Sequence, residues 1–165
     1  MSLGRIGRHL LTDHWTVRRC FPHAAMRAIE HAVGEQERRH DGEIRFAVEA
    51  SLPFIDLVRG VSARDRAIEI FGRLRVWDTE HNCGVLIYLL LADKRVEIVA
   101  DRGIHQKVGP AAWETICGAM QREFAAGRFE QGVITGVSAI SDLLATHYPA
   151  GDENPDELSN QPVIV

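Results

Sequence analysis

Five oxygen-bearing side chains raise the chemical question. Asp78, Glu80 and Asn82 alternate within Asp78-Thr79-Glu80-His81-Asn82. That alternation is the oxygen spacing of the first half of a calcium loop. Asp101 heads a second polar cluster, Asp101-Arg102-Gly103-Ile104-His105, and Glu43 follows the turn at Asp41-Gly42. Hard oxygens offered by several loops suit Ca²⁺ or Mg²⁺. Such an ion polarises a phosphoryl oxygen and activates water, while Arg102 has the charge to hold a substrate phosphate. His105, like His81, is a candidate acid or base near neutral pH. Arg102 and His105 are therefore the candidate catalytic contacts. A plainer reading competes. Asp78, Thr79 and Asn82 would shape a turn, and Asp101 would pair with Arg102 or Arg75 at the surface. The rest of a calcium loop is missing: Cys83 stands where glycine is required, and Leu89 where the bidentate glutamate belongs. Residue types alone favour the plainer reading.

The elements decide whether these clusters meet. Val85 to Leu91 is unbroken apolar sequence, too short for a membrane span, which needs about 20 residues. It predicts a strand buried on both faces, central in a helix-covered sheet. Asp93-Lys94 turns the chain, and Arg95 to Ala100 returns as an antiparallel strand. Upstream, Ala25, Ile29, Ala32 and Val33 recur at helical spacing behind Pro22. Glu43 to Glu49 then alternates strictly, which predicts a half-exposed strand near a sheet edge. Residues 50 to 61 read as a loop, and Ser62 with Asp65 forms a capping box. The helix that follows presents Ala67, Ile68, Phe71 and Leu74 inward. This strand-helix-strand passage predicts a parallel, right-handed crossover. Both strands then start at one edge, together with the end of the hairpin's second strand. Glu43, the 78–82 stretch and Asp101 should share that edge.

Pro110 opens a further helix with Trp113, Ile116, Cys117, Met120 and Phe124 in one stripe, ended by Gly127. A last helix, from about Glu130 to His147, carries Gly132 and Gly136, which permit close approach of another element. Ile6 to Leu11, Trp15 and Val17 predict a short helix lying on the body, and its charge and tryptophan also suit a membrane surface. The tail from Ala150 is acidic and reads as mobile up to Pro162-Val163-Ile164-Val165, which can dock as an extended piece.

Length fits one domain, and 45% apolar with 25% charged residues is ordinary globular usage. A net charge of −4 argues against a nucleic-acid binder driven by overall charge. The odd, scattered cysteines Cys20, Cys83 and Cys117 suit free thiols in a reducing compartment. With no leader pattern at residue 1, a cytoplasmic location is expected. Neither nucleotide-binding glycine loop nor G-x-S-x-G elbow is present.

The run RAIEIFGRLRVWDTEHNCGVLIYLLLADKRVEIVADRGI, followed by W-x-x-I-x-x-x-M-x-x-x-F-x-x-G-x-F-x-x-G and then HYP, strongly resembles the TPM-domain family in its short bacterial branch. HDGEIRF and DELSNQPVIV resemble it too. The resemblance covers roughly residues 22 to 149, leaving a basic-aromatic segment at 1–21 and an acidic tail at 150–165. It departs at Cys83, which separates Asn82 from Gly84. The resemblance implies a three-layer α/β/α sandwich with a small mixed sheet. It also implies divalent-cation binding, a weak phosphatase activity in one branch, and accessory roles with a protein partner or a membrane-associated complex.

Overall fold

The computed structural model describes residues 3–151 and 157–165. Its elements run α1 (Leu3–Leu11), α2 (His14–Cys20), α3 (His23–Glu37), β1 (Ile44–Glu49), α4 (Phe54–Val58), α5 (Ala63–Arg73), β2 (Val85–Leu90), β3 (Arg95–Ala100), α6 (Arg102–Val108), α7 (Pro110–Ala125), α8 (Phe129–His147) and β4 (Val163–Ile164). The strands form one mixed sheet in the order β3-β2-β1-β4. β1 pairs parallel to β2, and β2 pairs antiparallel to β3. Ile44 lies opposite Val85, and Val85 opposite Ala100. The residues just outside these three positions, Glu43, Gly84 and Asp101, therefore share one end of the sheet.

Helices cover both faces, so the α/β/α sandwich expected from the sequence is what forms. On one face Ile44, Phe46, Val48, Ile87 and Leu89 pack with α3, α7 and α8. On the other, Ala47, Leu86, Tyr88 and Leu90 pack with α5 and with Leu57 of α4. The capping box of α5 is present, with the Asp65 backbone N–H donating to Ser62 Oγ at 3.1 Å. α8 crosses α7 closely. A Cβ on Gly132 or Gly136 would stand 2.5 Å from Phe124 or 2.4 Å from Met120, so that pair of glycines lets the helices touch.

Five local expectations are corrected. β1 lies near the edge, with only the two-residue β4 outside it, but it is not half-exposed: all six of its residues are buried. Its polar face is covered because α5 brings a partner. Arg66 clasps Glu49 through two bonds of 2.9 and 2.8 Å, and the Tyr88 hydroxyl donates to Glu49 at 2.6 Å. The 50–61 loop contains α4, whose Leu57 anchors it in the core. In α5 the buried stripe runs through Ala63, Arg66, Ala67 and Ile70, and Ile68 faces out. Finally, the N-terminal segment is two helices, and the cluster after Asp101 is itself α6. The tail docks through Val163 and Ile164 as β4, parallel to β1. The mobility read for the tail falls in part on residues 152–156, which lie outside the described residues. Among the described residues no helix is long and apolar enough to cross a membrane.

Candidate functional site

The acidic end of the sheet is assembled by backbone register. Asp101 caps α6, its Oδ1 accepting from the Arg102 backbone N–H at 2.7 Å. The Asp101 N–H donates to Gly84 O at 2.8 Å, so the cap hangs from the start of β2. Asn82 has a left-handed φ of 53°, and its carbonyl accepts from the Ile104 N–H at 3.3 Å. Gly103 is what allows this approach. A Cβ there would lie 2.5 Å from Asn82 O and 2.9 Å from the Tyr148 hydroxyl. The turn that carries Asn82 and the cap that carries Asp101 therefore lie side by side.

Glu43 sits at the same end and is buried. Its carboxylate is engaged by the tail: Oε1 accepts from the Glu157 N–H at 3.1 Å and Oε2 from the Leu158 N–H at 3.3 Å. Glu157 in turn accepts the Glu80 N–H at 3.1 Å. Asp41 Oδ1 accepts the Gly151 N–H at 2.9 Å. Asp78 and Glu80 are exposed on the turn. Thr79 acts as a cap, with Oγ1 accepting the Cys83 N–H at 3.1 Å. Cys83 is buried, and its thiol contacts Asp41 O at 3.4 Å. Burial pushes that thiol up to about 11, and the carboxylates of Glu157, Glu43 and Asp41 push it the same way. A thiolate nucleophile at neutral pH is therefore not available there.

One atom at this end stands apart. Asp101 Oδ2 is buried and has no hydrogen-bond partner. A desolvated carboxylate oxygen without a donor is costly. Beyond that atom, the donors are incomplete as a cage. Among the described residues no three His, Cys, Asp or Glu side chains stand together in a way that could hold a metal ion. The candidate contacts also part company. Arg102 is exposed beside Asp101, while His105, one turn on, lines a groove of about 630 Å³ with Glu97, Trp113 and Cys117.

Two features of this end escaped sequence reasoning. Glu157 enters only because β4 docks more than a hundred residues after β1. The signal was the Pro162-Val163-Ile164-Val165 run, which fixes where the preceding acid must lie. The other is His40, just beyond the end of α3. It is fully buried, with Nδ1 3.0 Å from Gly42 O, and burial lowers its pKa to about 4.

A family model described as the TPM domain matches residues 20–143. Among solved structures, the chain is similar to the NMR structure of BA42 protein from the psychrophilic bacterium Bizionia argentinensis. The two are 31% identical, with a TM-score of 0.76 over 86% of this chain and 93% of that one. No functionally curated protein matches.

Proposed function

The chain belongs to the TPM-domain family, and on that premise we propose that it binds Ca²⁺ or Mg²⁺ weakly at the acidic end of its sheet. The observation that carries this reading is the buried, unpartnered Asp101 Oδ2. A cation is the simplest partner for it. Asn82 and Asp78 on the adjoining turn would add neutral and anionic oxygen, with Glu80 at its rim. Glu43 contributes negative potential, since both of its oxygens already hold the tail. So few carboxylates suit a low-affinity ion. A bound divalent ion supplies charge that polarises a phosphoryl oxygen. Arg102 is the residue beside it that can orient a phosphate. His105 would take part only if a substrate reached from α6 into its groove.

The test is calorimetric titration of metal-stripped protein with each ion, alongside the thermal midpoint. Saturable heat and a raised midpoint are expected, because an ion held by the native state alone stabilises it. No heat and no shift at millimolar ion removes the proposal. Phosphoester assays with and without the ion then separate a slow phosphatase from a simple binder.

A second reading is a non-catalytic module that engages a protein partner or a membrane-associated complex. It is favoured by the exposure of Leu10, Leu11 and Trp15. Point substitutions test it better than deleting residues 1–20. The buried His9 of α1 is bonded to Asp93 and to the Leu52 N–H, so deletion would open the body as well.

A further inference from the structure

α1 is docked by its polar face. Arg5 donates to both oxygens of Asp93 at 2.8–3.2 Å and to Val61 O at 2.8 Å. Arg8 donates to Ala92 O at 3.2 Å. His9, 3% exposed, accepts the Leu52 N–H at Nδ1 and so donates to Asp93 from Nε2, each at 3.0 Å. Arg5 and His9, which a surface helix normally turns to water, thus face the protein, while Leu10 and Leu11 face out at 71% and 84% exposure. Trp15 of α2 follows at 75%.

The inversion has a neighbour. α1 touches Leu52 and Val61, the residues flanking α4 on either side. α4 buries Leu57 and turns out Phe54, Ile55 and Val58, each at least half exposed. An apolar groove bounded by Leu11, Leu91, Phe124 and Phe129 opens beside α1. Arg8, Lys94 and Arg95 line that groove, and Arg18 and Arg19 of α2 and Arg59 at the end of α4 are exposed as well. The acids on the same segments are Asp13, Asp56 and the paired Asp93. Single exposed apolar residues need no explanation, but a group of them on two adjacent helices does.

We propose that this end of the molecule is a surface for peripheral binding to an anionic lipid bilayer, with α1, α2 and α4 lying in the headgroup region. This rests on the second reading above and is independent of the cation. Charge complementarity selects the occupant. A second copy docked by two-fold symmetry would set these arginines against one another. An anionic bilayer attracts them, while leucine, phenylalanine and tryptophan enter the acyl boundary. The six-residue strands place the acidic end about 20 Å away along the sheet. An anionic surface repels that end and so fixes the orientation.

The experiment is co-sedimentation of the full chain with vesicles of phosphatidylcholine alone, or of phosphatidylcholine with phosphatidylglycerol, at low and high salt. Binding is expected only to the anionic vesicles and should weaken with salt. A blue shift in tryptophan emission should accompany it and be lost in Trp15→Phe. Lys94→Ala should weaken binding about fivefold, the value of roughly 1 kcal/mol per basic residue near the surface. Leu10→Asp combined with Phe54→Asp should reduce binding at least about tenfold, since both apolar contacts are removed. Both side chains are exposed, so circular dichroism and the thermal midpoint should be unchanged. No binding to anionic vesicles at low salt overturns the proposal, as does binding that the double variant leaves intact. Sedimentation velocity distinguishes this failure from failure of the broader reading. A dimer abolished by the double variant would preserve an interaction role and assign the surface to a second copy. A monomer that binds neither vesicle would remove the bilayer and the second copy, and leave the broader reading with a different protein as its partner.

Discussion

At the end of the sheet where β1 and β2 begin, carboxylates gather and are held by backbone N–H groups. Glu43, Asp41 and Glu157 each accept from a main-chain donor, and those donors come from the tail or the 78–82 turn. At the opposite end the carboxylates are held by side chains: Glu49 by Arg66 and Tyr88, and Asp93 by Arg5 and His9 of a helix that turns Leu10 and Leu11 away. Backbone donors add no charge of their own, so the first end remains acidic and attracts cations. Side-chain donors overcompensate Asp93, so the second end is left basic and apolar. The two ends thus differ less in the acids they contain than in what satisfies those acids.

The largest effect should come from breaking the side-chain clasp. Asp93→Ala leaves the buried His9 without its acceptor and Arg5 with Val61 O alone, a loss of about 3 kcal/mol for a part-buried charged cluster. Denaturant unfolding should show this loss, with residues 3–11 the first to gain exchange at their amides.

Acid should separate the ends by pH window. His40, at the acidic end, is lowered by burial to about 4 from 6.5. The unfolded chain takes up a proton there before the native state does. Stability is therefore fully present above about pH 6.5 and falls as pH drops towards 4, by up to about 3 kcal/mol. In His40→Gln the slope in that window should flatten. Burial raises the Asp93 carboxyl, but hydrogen bonds from Arg5 and His9 outweigh it and leave its pKa below the ordinary value. Its contribution is present above the unfolded carboxylate pKa and is lost as pH falls through its own lower value. Docking of α1 should therefore survive the window in which the acidic end loosens. Simultaneous loss of both ends by hydrogen exchange would contradict the contrast.

Gly103→Ala should cost about 1–3 kcal/mol, because the added methyl overpacks the contact between α6 and the Asn82 carbonyl. The thermal midpoint reads it, and any cation response should fall with it. The smallest change in stability is expected from Asp101→Asn. Asparagine caps a helix as well as aspartate does, so apo stability should stay within about 0.5 kcal/mol. The shift of the midpoint by Ca²⁺ or Mg²⁺ should nevertheless disappear. An unchanged shift would place the ion elsewhere.

Much of the scaffold was legible because its signals are local. The β2–β3 hairpin announces itself as an apolar run, a turn and a return strand, and the Ser62–Asp65 box marks the start of α5. From these the shared edge of Glu43, Asn82 and Asp101 followed by topology alone. What was illegible depends on partners far away in sequence. Alternation in β1 suggested a wet face, because nothing local reveals that Arg66 will neutralise Glu49. Periodicity in α1 shows that two faces exist, but not which is turned inward. That choice is made by Asp93, 84 residues further on. Convergence of Glu157 with Glu43 required a strand pairing that only the assembled sheet specifies.

That pairing also has a consequence in time. Ala47 of β1 is matched with Val163, 116 positions later in the chain (163 − 47). At ribosomal rates of about 5–20 residues per second, the growing polypeptide spends roughly 6–23 s with β1 made and its outer partner not yet synthesised. Throughout that interval β1 offers an open row of amides and carbonyls, which is the template on which strands of other nascent chains pair. Completion of β4 closes it at Ala47 and Val48.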